Sequence, residues 1–142
     1  MQASARNQLT GKVTKVEVGA VNAEVIVTIA GGDSIAASLT KESCAGLGIR
    51  EGLDVLALIK APLVMVVKDF CGYKLSARNQ LQGTVKTITQ GSVNAEVDIE
   101  LPGGAAIAAI ITSESLAALG LKDGDAAWAV FKAGSVILGV KA

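Results

Sequence analysis

Apolar and polar residues alternate along several short stretches of this chain, which is the pattern of half-buried β-strands. The clearest stretch is Ala23–Ala30, where every second side chain from Val25 onward would face the interior of a sheet. A less regular alternation over Leu9–Val18 predicts the strand before it. Gly31 and Gly32 come directly after the Ala23–Ala30 stretch. They predict a tight hairpin turn, because glycine accepts the positive φ that such turns require.

The residues that follow this turn, up to Val67, predict a returning strand, one short helix and two more strands. Ser34–Leu39 is the returning strand, Thr40 is in position to cap the helix, and Gly48 can end it. Two further apolar runs, Leu53–Ile59 and Leu63–Val67, predict the last strands. Three strands, a helix and two strands are the element order of an OB-type barrel, so we expect an all-β fold.

The sequence repeats itself at an offset of 72 residues. Laid on Ser76–Ala133 without a gap, Ser4–Ala61 is identical at 29 of 58 positions, so the chain holds two copies of one unit. We therefore predict two tandem OB-type barrels, over residues 1–70 and 71–142, each with one short helix. Because the joint near Asp69–Tyr73 is short, the copies should pack closely together.

Composition excludes several classes of function. The chain has no histidine, which excludes histidine-based acid–base catalysis and histidine-ligated metal sites. Its 13 basic and 13 acidic residues balance, and aromatics are only 3%, so we expect neither a basic face nor a stacking platform for nucleic acid. The two cysteines form no CxxC motif and predict no disulfide framework. With no signal-peptide core and no apolar run that spans a bilayer, we expect a cytoplasmic protein without membrane contact.

The apolar fraction points to self-association. Apolar residues make up 51% of the chain, which is more than small barrels need for their limited interiors. We therefore expect apolar surface between subunits and a homo-oligomer. An alanine-rich monomer is the alternative explanation of the same composition.

Few polar positions are identical in both copies, and these are the candidates for function. Most of them carry N–H or O–H donors, a set that suits an anion, whereas a cation would require clustered carboxylates. The shared charged residues are Arg6, Glu24, Glu42 and Lys60, and the shared uncharged ones are Ser4, Asn7, Gln8, Asn22, Thr40 and Ser43.

The predicted helix start adds a physical reason for an anion. Thr40 and Ser43 are three residues apart, so both hydroxyls can flank a first turn whose backbone N–H groups are free. Simpler interpretations are that these two residues only cap the helix, that Arg6 is a solvated surface charge and that Asn7 forms a turn. Ser43 and Lys60 could imitate a catalytic pair, but no group would orient them, so we expect no enzyme.

The opening Ser-Ala-Arg-Asn-Gln-Leu segments, together with Val21–Val25, Thr40–Ser43 and Lys60-Ala61, resemble the molbindin, or Mop-domain, family. The resemblance covers both copies, as in tandem two-domain members. It implies an OB-type fold, a homotrimer with pseudo-sixfold arrangement, and binding of molybdate or tungstate for storage and homeostasis, without a catalytic cofactor. Such a tetrahedral dianion accepts hydrogen bonds, so no residue is expected to ligate the metal atom.

The resemblance also implies which residues hold the anion between subunits. Serine and arginine of the opening motif come from one side, and the Thr-x-x-Ser helix start and the Lys–Ala pair come from the other. In this sequence the implied molybdate-binding residues are Ser4, Arg6, Thr40, Ser43, Lys60 and Ala61, and then Ser76, Arg78, Thr112, Ser115, Lys132 and Ala133. Asn22 and Asn94 are candidates for a second oxyanion site near the symmetry axis. The alternative function is a non-catalytic structural or regulatory oligomeric adaptor.

Overall fold

Each copy consists of three strands, a short helix and two strands, in a computed structural model that describes residues 1–142. The first copy contains β1 Asn7–Val18, β2 Asn22–Ile29, β3 Ser34–Thr40, α1 Lys41–Gly46, β4 Asp54–Ile59, a 3₁₀ turn Ala61–Leu63 and β5 Met65–Val67. The second contains β6 Asn79–Gln90, β7 Asn94–Glu100, β8 Ala106–Thr112, α2 Ser113–Leu119, β9 Ala126–Phe131, a 3₁₀ turn Ala133–Ser135 and β10 Ile137–Gly139. The prediction of an all-β chain with two tandem OB-type barrels is confirmed.

Local chemistry explains the turns that bound these elements. Gly31 and Gly32 have φ of +97° and +101°, as the predicted hairpin requires. The hydroxyl of Thr40 caps α1 by accepting from the Ser43 backbone N–H at 3.0 Å. Gly48, with φ of +65°, follows the end of α1. The predicted strand and helix positions are therefore confirmed to within a few residues.

The fifth strand of each sheet comes from the other copy. One sheet has the order β10-β4-β1-β2-β3 and the other β5-β9-β6-β7-β8. Ile137 pairs with Leu58, and Met65 pairs with Val130, both in antiparallel ladders. The predicted strand Leu63–Val67 begins only at Met65, because the preceding residues form the 3₁₀ turn that includes proline. This exchange makes the two barrels parts of one structure.

The interior is filled by small aliphatic side chains from both copies. Cys44 is buried at the position that Leu116 occupies in the second copy, so it packs as an apolar residue. Phe131 is buried as well. Trp128 is only half-buried and packs edge-on against Phe70, with ring centroids 5.3 Å apart. Neither helix has the length or apolar content required to cross a membrane.

Candidate functional site

Two buried asparagines join the copies along a surface that we call the seam: Asn7 against β8 and Asn79 against β3. The Asn7 side chain donates to the carbonyl of Ala108 at 2.9 Å and accepts from its N–H at 2.7 Å. Asn79 makes the same two bonds with Ala36, both at 2.8 Å. Each asparagine therefore continues the backbone pairing of the other copy, which is a different role from that of a turn former.

Two ion pairs cross the seam beside these asparagines. Arg6 Nη1 lies 2.7 Å from Glu96 Oε1, and Arg78 pairs with Glu24 in the same way. The arginine side chains are 62% and 54% exposed, whereas those of Glu96 and Glu24 are 21% and 33% exposed. These contacts give a structural reason why each copy has the arginine and the glutamate at equivalent positions.

The strand register places the Lys–Ala pair beside the opening motif of its own copy. Asn7 is paired with Ile59, and Arg6 and Lys60 each lie one residue beyond that pair. Which half of an anion site the Lys–Ala pair completes stays a prediction, since the register shows only its neighbours within the chain. The second copy repeats the arrangement with Asn79, Phe131, Arg78 and Lys132.

The Thr-x-x-Ser starts have a specific hydrogen-bond arrangement. Thr112 Oγ1 accepts from the Ser115 N–H at 3.0 Å and donates to Ser115 Oγ at 2.8 Å. The serine hydroxyl proton is thereby left to donate outward. The Ser113 N–H donates to the Val93 carbonyl at 2.8 Å. Two first-turn amides are thus engaged within the fold, contrary to the expectation that they are free. Thr40 and Ser43 repeat the hydroxyl arrangement in the first copy.

The opening motif of each copy runs toward the helix start of the other copy. Asn7 is bonded to Ala108 on β8, and Arg6 is held by Glu96, which is paired with Ile110 further along the same strand. Thr112 lies two residues beyond Ile110 and begins α2. The 3₁₀ turn that follows Lys60 also packs on β8.

On the basis of these strand pairings we group the predicted donors into two crossed sets. We call the first the Arg6 site: Ser4, Arg6, Lys60 and Ala61 from the first copy, with Thr112 and Ser115 from the second. The Arg78 site is its counterpart: Ser76, Arg78, Lys132 and Ala133 with Thr40 and Ser43. All these residues are exposed except the two alanines, which are buried.

The remaining candidates, Asn22 and Asn94, lie beside the two helix starts. Asn22 is paired with Thr40 and Asn94 with Thr112, so each exposed asparagine lies next to a helix-capping threonine. No three histidine, cysteine, aspartate or glutamate side chains are grouped as a metal site would require.

One surface groove has a volume of about 820 Å³, and its lining includes Lys12, Asp54, Leu56 and Lys141. Another groove, of about 460 Å³, contains Asn22 and Glu24. Neither of these two grooves contains a residue of the Arg6 site, whose charged and hydroxyl side chains are exposed.

The family model for the TOBE domain matches residues 3–66 and 75–138, once in each copy. The chain belongs to the TOBE-domain family. The prediction of a tandem, Mop-type chain is thereby confirmed. Sequence alone could not show that each TOBE copy completes its sheet with a strand of the other, because both copies have the same pattern.

Several known proteins are similar to this chain. It is 43% identical over 141 residues to the molybdenum transport protein ModE of Herbaspirillum seropedicae, covering 99% of this chain and 52% of that protein. It is 44% identical over 138 residues to the molybdenum-pterin-binding protein MopA of Rhodobacter capsulatus, covering 97% and 52%. The chain spans about half the length of these curated relatives. A solved structure described as the cytoplasmic molybdate-binding protein ModG, with molybdate bound, is 52% identical, with a TM-score of 0.94 and coverage of 99% and 100%.

Proposed function

We propose that this chain is a non-catalytic binding protein for molybdate or tungstate that serves molybdenum storage and homeostasis in the cytoplasm. The observation that carries the proposal is the reciprocal pairing at the seam: the arginine of each copy contacts a glutamate of the other copy, and that glutamate is paired two residues before a Thr-x-x-Ser helix start. Further support comes from the similarity to ModG, whose structure is described with molybdate bound.

The chemistry of the Arg6 site suits a tetrahedral dianion. Arg6 and Lys60 supply positive charge and N–H donors, and Ser115 supplies a hydroxyl that Thr112 orients. Ala61 has no polar side-chain atom and would contribute its backbone N–H. Oxygens that only accept hydrogen bonds are satisfied by such a set without any bond to molybdenum.

The proposal extends to assembly. We propose that the anion is held between subunits, where the exposed donors beside the seam of one chain meet a neighbouring chain. A homotrimer would add contacts between barrels of different chains. Support comes from apolar side chains exposed at equivalent positions of the two copies: Val21 at 74%, Val93 at 71%, Met65 at 53% and Ile137 at 62%. Sedimentation should show a trimer, and a monomer with full molybdate affinity would contradict this part of the proposal.

Equilibrium dialysis with molybdate, tungstate, sulfate and phosphate tests the binding function. Arg6→Ala removes a charge-assisted hydrogen bond, so molybdate should bind roughly ten- to over a hundredfold more weakly at the affected site. Lys12→Ala is the matched control, because Lys12 is exposed, lies outside both sites and is threonine in the second copy. Equal effects of the two variants would show that general electrostatics, and not a site, holds the anion.

The second candidate is a structural or regulatory adaptor. It is favoured by relatives such as the DNA-binding transcriptional dual regulator ModE of Escherichia coli, which is 36% identical over 139 residues. Dialysis separates the two candidates: saturable molybdate binding supports the leading proposal. A trimer that binds none of the four oxyanions would favour the adaptor.

A further inference from the structure

Each arginine of the proposed anion sites is held by a glutamate of the other copy. The Arg6–Glu96 contact joins Nη1 to Oε1 at 2.7 Å, and Arg78 pairs with Glu24 symmetrically. Both glutamates are identical in the two copies, yet neither belongs to the predicted donor set. The predicted anion contacts therefore do not explain why the glutamates lie beside the sites.

The two partners of this ion pair are held very differently. Arg6 lies in the segment before β1, outside any helix or strand, and its side chain is 62% exposed. Glu96 lies inside β7, is paired with Thr89 on one side and Ile110 on the other, and is 21% exposed. A long side chain loses rotamer freedom when it binds a ligand, and a fixed partner reduces that loss.

We propose that Glu96 and Glu24 are positioning residues of the oxyanion sites. A guanidinium has five N–H donors in a planar fork, so an ion pair through one nitrogen leaves other donors to be aimed at the anion. This inference rests on the proposed function. It makes each site depend on a strand of one copy to orient the arginine of the other.

An opposing effect must be separated from positioning. A carboxylate near a dianion repels it, so removal of Glu96 could also strengthen binding. Glutamine separates the two effects, because it lacks the charge but keeps the size and an oxygen at the position that contacts Arg6. Alanine removes both the charge and the contact.

Molybdate titrations of the full chain and its Glu96→Ala and Glu96→Gln variants test the inference. Glu96→Ala should weaken binding at the Arg6 site by roughly three- to tenfold, because one arginine must then be immobilised on binding. Glu96→Gln should restore at least the wild-type affinity. In an Arg6→Ala background, Glu96→Ala should cause no further loss, since Glu96 acts through Arg6.

Asp54→Ala is the matched control, because it removes a carboxylate whose ion pair with Lys12 has the same 2.7 Å distance but lies outside both sites. It should change molybdate affinity by less than about twofold. Tighter binding by both Glu96 variants would identify repulsion and overturn the inference. Unchanged affinity with a lowered unfolding midpoint would identify a purely structural contact and overturn it as well. A wild-type chain that binds no molybdate would overturn the proposed function, and this inference with it.

Discussion

The two copies make the same contacts at the seam but different contacts in the parts of the barrels away from it, which we call the far ends. At the seam, identical asparagines, arginines and glutamates make reciprocal contacts. At the far ends the copies differ. The first has an exposed Lys12–Asp54 ion pair beside an open groove, and the second has Trp128 covered by Phe70.

This difference shows what sequence identity between the copies means. A residue at the seam contacts both copies, so changing it in one copy disturbs the other, whereas Lys12 and Asp54 contact each other within one copy. Asn7 and Arg6 are therefore both retained, although the first is a buried structural residue and the second is exposed. A residue that is identical in the two copies is therefore a candidate for the seam. Identity alone does not distinguish a structural residue from an anion donor.

The largest expected effect comes from removing a seam asparagine. Asn79→Ala leaves the buried N–H and C=O of Ala36 without partners, which should lower the free energy of unfolding by about 2–4 kcal/mol. Denaturant unfolding measures the change. Gln80→Ala is the control, because its side chain bonds only to Ala77 and Leu75 of its own copy. Equal destabilisation by both variants would show that the seam has no special role.

A smaller effect is expected at the far end of the second copy. Phe70→Ala removes the edge-on ring contact with Trp128 and should cost about 1 kcal/mol. Trp128 is the single tryptophan, so its fluorescence should shift to the red as the indole gains solvent. Tyr73→Ala, at a side chain that is 77% exposed, should change neither property. An unshifted spectrum in Phe70→Ala would contradict the contact.

The smallest effect is expected at the far end of the first copy. The hydrogen bond and charge of Lys12 hold the pKa of the Asp54 carboxyl below its usual value. A lowered folded-state pKa stabilises the fold above the unfolded value, near 3.9, and that contribution is lost as pH falls through the folded value. Asp54→Asn should therefore lower the thermal midpoint slightly at pH 7. The difference should vanish in strong acid and shrink in high salt, and a midpoint difference that grew in acid would contradict this assignment.

Local patterns in the sequence predict most of the fold. Period-two alternation located the strands, the two glycines located the hairpin, and Thr40 located the start of α1. The exchange of β5 and β10 could not be predicted, because both copies offer the same pairing partners and only the short joint selects between them.

The candidate site was predictable as a set of residues but not as a set of contacts. Shared polar residues and the family resemblance singled out Arg6 and Thr112. Which copy supplies which half depends on long-range pairing, such as the bond between Asn7 and Ala108, and no local pattern encodes it. The ion pair of Arg6 with Glu96 was missed for the same reason, although the shared glutamates were a visible signal.

The central claim is that each anion site is crossed between the copies, and the number of bound molybdate ions in double variants tests it most directly. Arg6→Ala with Ser115→Ala places both changes in the Arg6 site, so half of these sites should keep wild-type affinity. Arg6→Ala with Ser43→Ala damages both the Arg6 site and the Arg78 site, so no site should keep that affinity. Equilibrium dialysis at molybdate concentrations above the wild-type Kd but well below that of the weakened sites counts the intact sites. The reverse result, with half of the sites preserved only in Arg6→Ala with Ser43→Ala, would show that each site is built within one copy and would contradict the account.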